Sequence, residues 1–140
     1  MPGSSANPKA VLAAVPLFAG LSSRHLSAVA KLAREVQHSE GTEIAAQGRG
    51  ALAFHVIVDG TATVSVNGAL RRTLAAGDYF GEISLLDGEP RSATVTAGPG
   101  LVTLALTRTD FLRLVDSEPT LARALIVALC GRIRALEQSR

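Results

Sequence analysis

The chain has 140 residues, 47% of them hydrophobic and 19% charged, which is long and apolar enough for one folded domain and not typical of a disordered chain. The formal net charge is only +2 and the cationic side chains are scattered, so the sequence lacks the basic stripe of a nucleic-acid-binding surface. Cys130 is the only cysteine, which excludes an intramolecular disulfide and argues against a structural zinc site.

No targeting segment is predicted at the start of the chain. The opening MPGSSANPK lacks the cationic and then apolar order of a secretory signal peptide. Residues 1–8 are predicted to be a flexible tail. The longest apolar run, Ala124–Cys130, is far shorter than the roughly 20 residues that cross a membrane. We therefore expect a cytoplasmic protein with no membrane span.

Residues 9–38 carry helical signals and are predicted to form a helical lead-in. Ser22 and Ser23 are good N-cap candidates, because a serine hydroxyl can accept a hydrogen bond from a free amide of the first turn. After them, apolar residues recur every three to four positions, at Leu26, Val29, Ala30, Leu32 and Ala33. This spacing predicts a helix with one buried face.

Residues 41–107 change to short alternating segments bounded by glycine turns. Phe54–Val58 ends at Asp59-Gly60, and Thr61–Val66 ends at Asn67-Gly68. Both aspartate-glycine and asparagine-glycine pairs are signals for a two-residue hairpin turn. The spacing of such segments predicts a small antiparallel barrel or roll.

The end of the chain, residues 109–140, returns to helical spacing. Thr109 can cap a short helix, and Ser117 or Glu118, with Pro119 in the first turn, can start a last helix. The run of apolar residues at 125–129 covers nearly every side of that last helix. We expect one face to pack on the β-region and another to meet a second subunit, a ligand or another part of a longer protein.

The segment Tyr79–Val95, YFGEISLLDGEPRSATV, combines groups that suit a nucleotide. Gly81 permits a left-handed entry to a short helical turn, whose free amides attract an anion. Arg91 then offers a planar guanidinium to two phosphate oxygens. Glu82 would repel an anion unless it faces hydroxyl groups of the same ligand, as it would against a sugar. The triphosphate and dinucleotide motifs, G-x-x-x-x-G-K-[ST] and G-x-G-x-x-G, do not occur.

The residues FGEISLLDGEPRSATV resemble the phosphate-binding cassette of cyclic-nucleotide-binding domains. That family includes the catabolite activator protein, the regulatory subunits of cyclic-AMP-dependent protein kinase and the cyclic-nucleotide-gated channels. Residues 16–33 resemble its helical lead-in, Phe54–Gly60 its F-x-x-I-x-x-G segment, and Asp110-Phe111 the start of its penultimate helix. Where many members have Gly-Asp before that segment, this chain has Gly48-Arg49, which changes a surface turn more than the site.

The resemblance implies a mostly β fold with flanking α-helices. It would be an antiparallel β-roll, a jelly-roll-like double-stranded β-helix, with a helical lead-in and two C-terminal helices. One cyclic-nucleotide-binding domain would cover residues 9–140, with the roll at 41–107, the cassette at 80–95 and the C-terminal helices at 109–140.

The resemblance also implies a set of ligand-binding residues. Glu82 would accept from the ribose 2′-hydroxyl, Arg91 would pair with the cyclic phosphate, and Arg132 of the last helix would stack on the purine. Val64 or Val66 would support the purine from the roll. The full set is Val64, Val66, Gly81, Glu82, Ile83, Ser84, Arg91, Ser92, Ala93 and Arg132.

These residues predict a sensor that binds cyclic AMP, or alternatively cyclic GMP, without modifying it. Ser92 after the arginine favours cyclic AMP, since threonine there often accompanies cyclic GMP. We expect the last helix to close as a lid and to act on a partner protein or a second copy. No helix-turn-helix follows that helix, so direct DNA binding is not expected. The alternative is an interaction module of the same fold that no longer binds nucleotide.

The sequence shows no set of residues arranged for catalysis. His25, His38 and His55 lack metal-ligand spacing and are predicted to be surface or half-buried residues, so no metal and no cofactor is expected. No Ser–His–Asp or Cys–His arrangement can be proposed. Cys130 lies in an apolar helical run, which predicts an inert buried thiol. We therefore expect a protein that is not an enzyme.

Overall fold

The structure, a computed structural model, describes residues 7–49 and 53–138. Most of the expected tail at residues 1–8 lies outside the described residues. The helices are α1 (Pro8–Ala13), α2 (Ser23–Leu32), α3 (Glu82–Asp87), α4 (Arg108–Ser117) and α5 (Pro119–Gln138), with a 3-10 turn at Pro16–Phe18. The strands are β1 (Arg34–Gln37), β2 (Glu43–Ala45), β3 (Ala53–Asp59), β4 (Ala62–Val66), β5 (Ala69–Leu74), β6 (Tyr79–Phe80), β7 (Thr94–Ala97) and β8 (Val102–Thr107).

The strands form two four-stranded sheets with antiparallel pairing. The first sheet has the order β1-β8-β3-β6 and the second has the order β2-β7-β4-β5. The chain changes sheet at nearly every step, and β4 and β5 are the only consecutive described strands that share a sheet. The expected mostly β fold with flanking helices is confirmed, as a roll of two separate sheets and not a closed barrel.

The first hydrophobic core lies between the first sheet and the helices. Phe54 of β3 is fully buried, and its ring stacks on Phe111 of α4 with 4.7 Å between centroids. Phe18 meets the same ring edge-on at 6.3 Å. Leu121 and Leu125 of α5 belong to this cluster, so the last helix is anchored to the roll through one face.

The second core lies between the two sheets and behind the cassette. Ile57 and Phe80 contribute to it from the first sheet, and Val64 and Val95 from the second. Because each strand alternates its side chains between two faces, the same strands present their other residues outward. The cassette is therefore bordered by buried apolar residues of both sheets.

The two predicted hairpin turns have different outcomes. Asn67 and Gly68 both have positive φ, 51° and 79°, and join β4 to β5 as an antiparallel pair, which confirms that hairpin. The hairpin at Asp59-Gly60 is wrong, because β3 pairs with β6 and β8 while β4 pairs with β5 and β7. This turn carries the chain from one sheet to the other.

The predicted helix starts also differ in outcome. Ser22 caps α2 by accepting from the amide of His25, which confirms the first cap. The cap at Thr109 is wrong, since α4 begins earlier and Thr107 accepts from the amide of Asp110. Residues 34–37 of the expected helical lead-in form β1 instead, because they pair with β8 as the edge strand of the first sheet.

Helix α5 begins at Pro119, as the sequence predicts, and is covered on one side only. Ile126, Val127 and Ile133 are 57–60% exposed, which leaves an apolar outer face. Cys130 is exposed, so the prediction of a buried thiol is wrong. The face of this helix that packs on the roll is set by Leu121 and Leu125, and Cys130 does not lie on it. Within the described residues, no helix is both long and apolar enough to span a membrane.

Candidate functional site

The cassette begins with a turn that only glycine can make. Gly81 stands between β6 and α3 with φ of 100°, a left-handed conformation that other residues rarely adopt. A Cβ atom at this position would lie 2.6 Å from the carbonyl oxygen of Ala53 and 3.0 Å from Nη1 of Arg91. The absence of a side chain therefore lets the backbone of the cassette approach β3 and Arg91 closely.

Arg91 is buried and only partly satisfied. Its Nη2 donates to the carbonyl of Ala53 at 3.2 Å, while its Nε is buried and has no hydrogen-bond partner among the described residues. Burial lowers the pKa of Arg91, and the Glu82 carboxylate acts in the opposite direction. A buried guanidinium with a donor left over is costly unless an acceptor, such as a phosphate oxygen, completes it.

The backbone of Arg91 is held by the turn that departs from the family pattern. Its amide donates to the carbonyl of Arg49 at 2.7 Å, and the amide of Gly48 donates to its carbonyl at 2.8 Å. Sequence reasoning assigned Gly48-Arg49 to a surface turn and missed this contact. The signal was not readable, because backbone bonds between distant segments leave no mark on side-chain identity.

Glu82, the first residue of α3, is buried beside several cations. Its Oε2 accepts from Nη1 of Arg132 at 3.3 Å, and the side chains are 6% and 42% exposed respectively. Burial raises the pKa of Glu82, against the effect of its own backbone amide and of the nearby guanidinium groups of Arg132, Arg72 and Arg91. The carboxylate that was expected to hold a ribose is thus held by the last helix in this structure.

A small inner cavity of about 60 Å³ brings most of the predicted residues together. Nine of the ten candidates line it, namely Val64, Gly81, Glu82, Ile83, Ser84, Arg91, Ser92, Ala93 and Arg132. Val66, the tenth, is half-buried and is not among the lining residues. The guanidinium of Arg91 and the carboxylate of Glu82 therefore border one hollow.

A larger outer cavity of about 700 Å³ adjoins the inner cavity. It lies between α5, the 3-10 turn and strands β5 and β6, and its polar lining includes Asp78, Thr120 and Arg123. The two cavities share three lining residues: Arg72, Glu82 and Arg132. The Arg132–Glu82 ion pair consequently stands at the boundary between them.

Arg72 of β5 is a lining residue that sequence reasoning missed. Its Cα is the register partner of Val64 on β4, so the two side chains lie on the same face of the second sheet. Burial and the charge of Arg132 lower the pKa of Arg72. A regular two-residue hairpin at Asn67-Gly68 would pair Val64 with residue 71. A bulge between Val64 and Ser65 shifts the pairing to residue 72, so the sequence carried no signal for this contact.

The histidines form a separate cluster behind the cassette. Oγ1 of Thr103 lies 2.9 Å from Nε2 of His38 and 3.0 Å from Nδ1 of His55. His55 stacks on Phe80 with 4.9 Å between centroids and is buried, unlike the surface or half-buried position expected for it. Among residues 7–49 and 53–138, no group of three His, Cys, Asp or Glu side chains could hold a metal ion.

Comparisons with known proteins agree with this geometry. The profile of the cyclic nucleotide-binding domain matches residues 35–118. A cyclic nucleotide-gated potassium channel of Rhizobium etli is 36% identical over 115 residues, covering 82% of this chain and 32% of the channel. The cGMP-dependent 3′,5′-cGMP phosphodiesterase A of Dictyostelium discoideum is 34% identical over 98 residues, covering 70% of this chain and 11% of that protein.

A solved structure extends the similarity beyond the cassette. The structure of cAMP-bound PfPKA-R (141-441) superposes with a TM-score of 0.83 at 26% identity, over 93% of this chain and 45% of that one. The shared part thus includes the roll and most of the flanking helices. This chain spans about a third or less of the two curated relatives described above.

Proposed function

This chain belongs to the cyclic nucleotide-binding domain family, and from that premise we propose that it binds cyclic AMP as a non-catalytic sensor. The ligand would occupy the inner cavity with its phosphate and ribose and extend towards the outer cavity with its base. Cyclic GMP is the alternative ligand. The output would pass through α5 to a partner protein or to a second copy of the chain.

The observation that carries this proposal is the buried, incompletely bonded guanidinium of Arg91. A cyclic phosphate would supply acceptors to it, next to the first turn of α3, where Ile83 and Ser84 provide amides without intrahelical partners. Each charge-assisted hydrogen bond contributes roughly 1.5–3 kcal/mol. The phosphate contacts therefore account for a large share of a micromolar affinity, which corresponds to about −8 kcal/mol.

The ribose is assigned to Glu82. A buried carboxylate accepts hydrogen bonds from hydroxyl groups and cannot be left unpaired without cost. In this structure Arg132 supplies the partner. When the ribose 2′-hydroxyl takes its place, Arg132 is free to cover the purine, as the resemblance implies.

The size of the inner cavity couples binding to movement of α5. Small-molecule pockets have volumes of roughly 300–1,000 Å³, and the inner cavity has only about 60 Å³. A nucleotide seated on Arg91 must therefore displace the Arg132 side chain and open the boundary with the outer cavity. Ligand would in this way shift the population of α5 positions, which is the proposed signal.

The preference for cyclic AMP rests on Ser92 and on one relative. Ser92 lines the inner cavity beside Arg91, at the position where threonine often accompanies cyclic GMP in this family. PfPKA-R was solved with cAMP bound. The phosphodiesterase relative is named for cGMP, so cyclic GMP is kept as the alternative ligand.

Titration calorimetry of the full chain with cyclic AMP, cyclic GMP and 5′-AMP tests the proposal. We expect saturable heat with a cyclic nucleotide, little with 5′-AMP, and a loss of affinity of at least 100-fold in Arg91→Ala. Arg113→Ala is the matched control, since Arg113 is exposed on α4 and lines neither cavity. Absence of heat from all three ligands at millimolar concentration would refute the sensor function.

The second candidate is a nucleotide-free interaction module, favoured by the exposed apolar face of α5. Ile126 and Ile133 lie seven residues apart, two helical turns, and each is more than half exposed. Sedimentation velocity with and without cyclic nucleotide separates the candidates. A dimer that Ile126→Glu disrupts, in a chain that binds no cyclic nucleotide, would support this candidate.

A further inference from the structure

The first part of α5, residues 119–129, is anchored to the rest of the fold. Leu121 and Leu125 are buried in the first core, with exposures of 1% and 2%. On another side, a Cβ atom at Gly20 would lie 2.6 Å from Cγ2 of Thr120, so the turn before α2 packs closely on the first turn of the helix. Movement of this part would disturb both contacts.

The end of α5, residues 130–138, is not held by core packing. Every residue from Cys130 to Gln138 is exposed, and none of them belongs to either hydrophobic core. Arg132 lies in this part and connects it to the cassette, since its Nη1 donates to Oε2 of Glu82 at 3.3 Å. The end of the helix can therefore change position while the first core stays intact.

Gly131 lies where the end of α5 begins, in the interior of the helix. Glycine is unfavourable there relative to alanine, because it loses more backbone freedom on folding. The φ of Gly131 is not in the left-handed range that favours glycine, and a Cβ atom there would meet no atom within 4 Å outside its own stretch of helix. Neither backbone conformation nor close packing requires glycine at this position. What glycine adds is local backbone flexibility.

A flexible point directly before Arg132 suits the movement that the ligand requires of this side chain. A nucleotide must first displace Arg132 from Glu82 and then be covered by it, so Arg132 needs two positions; this step rests on the proposed function. We propose that α5 bends at Gly131, so that residues 132–138 move as a lid while residues 119–130 stay packed on the roll. Gly131 is thus a positioning residue for Arg132.

The bend would also carry the signal to the outer apolar face of α5. A rigid movement of the whole helix would take Leu121 and Leu125 out of the first core, at a cost that grows with the apolar area exposed. Bending at Gly131 leaves them in place. Ile126 lies before this residue and Ile133 after it, and both are more than half exposed. Ligand binding would therefore rearrange the apolar face that spans them.

The test moves the glycine along the helix and measures affinity by displacement of a fluorescent cyclic nucleotide. Gly131→Ala favours the regular helix at this position by about 4- to 5-fold. One double variant adds Cys130→Gly, which restores a glycine before Arg132, and the other adds Ala135→Gly, which places a glycine after it. The three substituted residues are exposed and line neither cavity. The two double variants are matched, because each has one glycine in the helix.

We expect Gly131→Ala to weaken cyclic AMP and cyclic GMP alike, by about 2- to 5-fold, because a stiffer helix favours the position in which Arg132 is bonded to Glu82. Adding Cys130→Gly should restore the wild-type affinity, and adding Ala135→Gly should not. Unchanged or tighter binding in Gly131→Ala, or rescue by both added glycines or by neither, would overturn the role of Gly131.

Hydrogen exchange of wild type with and without cyclic AMP locates the movement directly. The amides of residues 132–138 should change their exchange rates when the ligand binds, whereas those of residues 122–126 should not. A change along the whole of α5 would show that the helix moves as one body and would overturn the bend.

These measurements separate the role of Gly131 from the function on which it rests. If wild type binds cyclic nucleotides and Gly131→Ala binds them equally well, the sensor stands and the bend at Gly131 is wrong. If wild type binds neither the probe nor either nucleotide, both are wrong. Thermal melting of each variant confirms that it is folded before binding is compared.

Discussion

The proposed phosphate side of the site comes from one continuous segment, residues 81–91, whereas the proposed base side is assembled from three elements. Val64 and Arg72 come from neighbouring strands and Arg132 from the last helix. The first arrangement depends on local backbone conformation and the second on how α5 sits against the roll. In the proposed sensor, binding of the phosphate would thus depend on local structure, and contact with the base would depend on tertiary structure.

The two sides of the site also differ in how firmly their residues are held in place. The cassette is braced by backbone hydrogen bonds to Gly48-Arg49 and by the buried Phe80. Arg132 is tied to the site through a single ion pair at 3.3 Å, with its side chain 42% exposed. Because Glu82 is buried and Arg132 is partly exposed, Arg132 can leave the carboxylate at little cost only when another donor, such as a ribose hydroxyl, replaces it.

The largest loss of affinity is expected from a substitution that disrupts the proposed phosphate side of the site. Gly81→Ala places a methyl group 2.6 Å from the Ala53 carbonyl in a left-handed conformation, so the cassette must shift away from Arg91. We expect cyclic-nucleotide affinity to fall by more than 100-fold in calorimetry.

Gly88→Ala is the matched control for this variant. Gly88 also has positive φ, at 73°, but a Cβ there meets no atom within 4 Å. It should cost only the conformational strain of about 1–2 kcal/mol and leave affinity nearly unchanged. Equal affinities in the two variants would show that close approach of the cassette to β3 is not needed.

A second prediction concerns the framework behind the phosphate side. Burial lowers the pKa of His55 to about 4, assisted by the charges of His38 and Arg91, while an exposed histidine titrates near 6.5. The unfolded chain therefore takes up the proton first. Stability should be complete above about pH 6.5 and fall as the pH approaches 4, by up to about 3 kcal/mol.

Urea unfolding of wild type and His55→Phe between pH 7.5 and 4.5 measures this contribution. Phenylalanine preserves the stack on Phe80 and cannot be protonated. The stability difference between the two proteins should shrink or reverse in favour of the variant as the pH falls, which isolates His55 from other groups such as Glu82. Parallel pH profiles would contradict a neutral buried imidazole.

The smallest expected effect lies on the base side. Arg132→Gln keeps a donor that can reach Glu82 but removes the guanidinium expected over the purine, which contributes about 0.5–2 kcal/mol. The affinity for both nucleotides should fall by roughly 2- to 30-fold. Arg134→Gln is the control, because Arg134 is a neighbouring exposed arginine, and this variant should not change the affinity. Tighter binding in Arg132→Gln would mean that this side chain competes with the ribose and does not cover the base.

Local sequence signals predicted the parts that depend on few neighbours. The Asn67-Gly68 hairpin, the Ser22 cap and the start of α5 follow from turn and capping chemistry within about four residues, and the fold class followed from the cassette resemblance. The same kind of signal failed at Asp59-Gly60, where the turn chemistry is equally good but the strands on either side join different sheets.

By itself the sequence determined that a glycine turn, a carboxylate and a cation occur within one short segment. The covalent chain keeps such neighbours close together in any fold. Only the tertiary structure decided that Arg72 faces Val64, that Arg132 reaches Glu82 and that Cys130 is exposed. These positions depend on strand register and on which face of α5 meets the core. Both are set by the burial of apolar side chains far apart in the chain, and no local pattern encodes that.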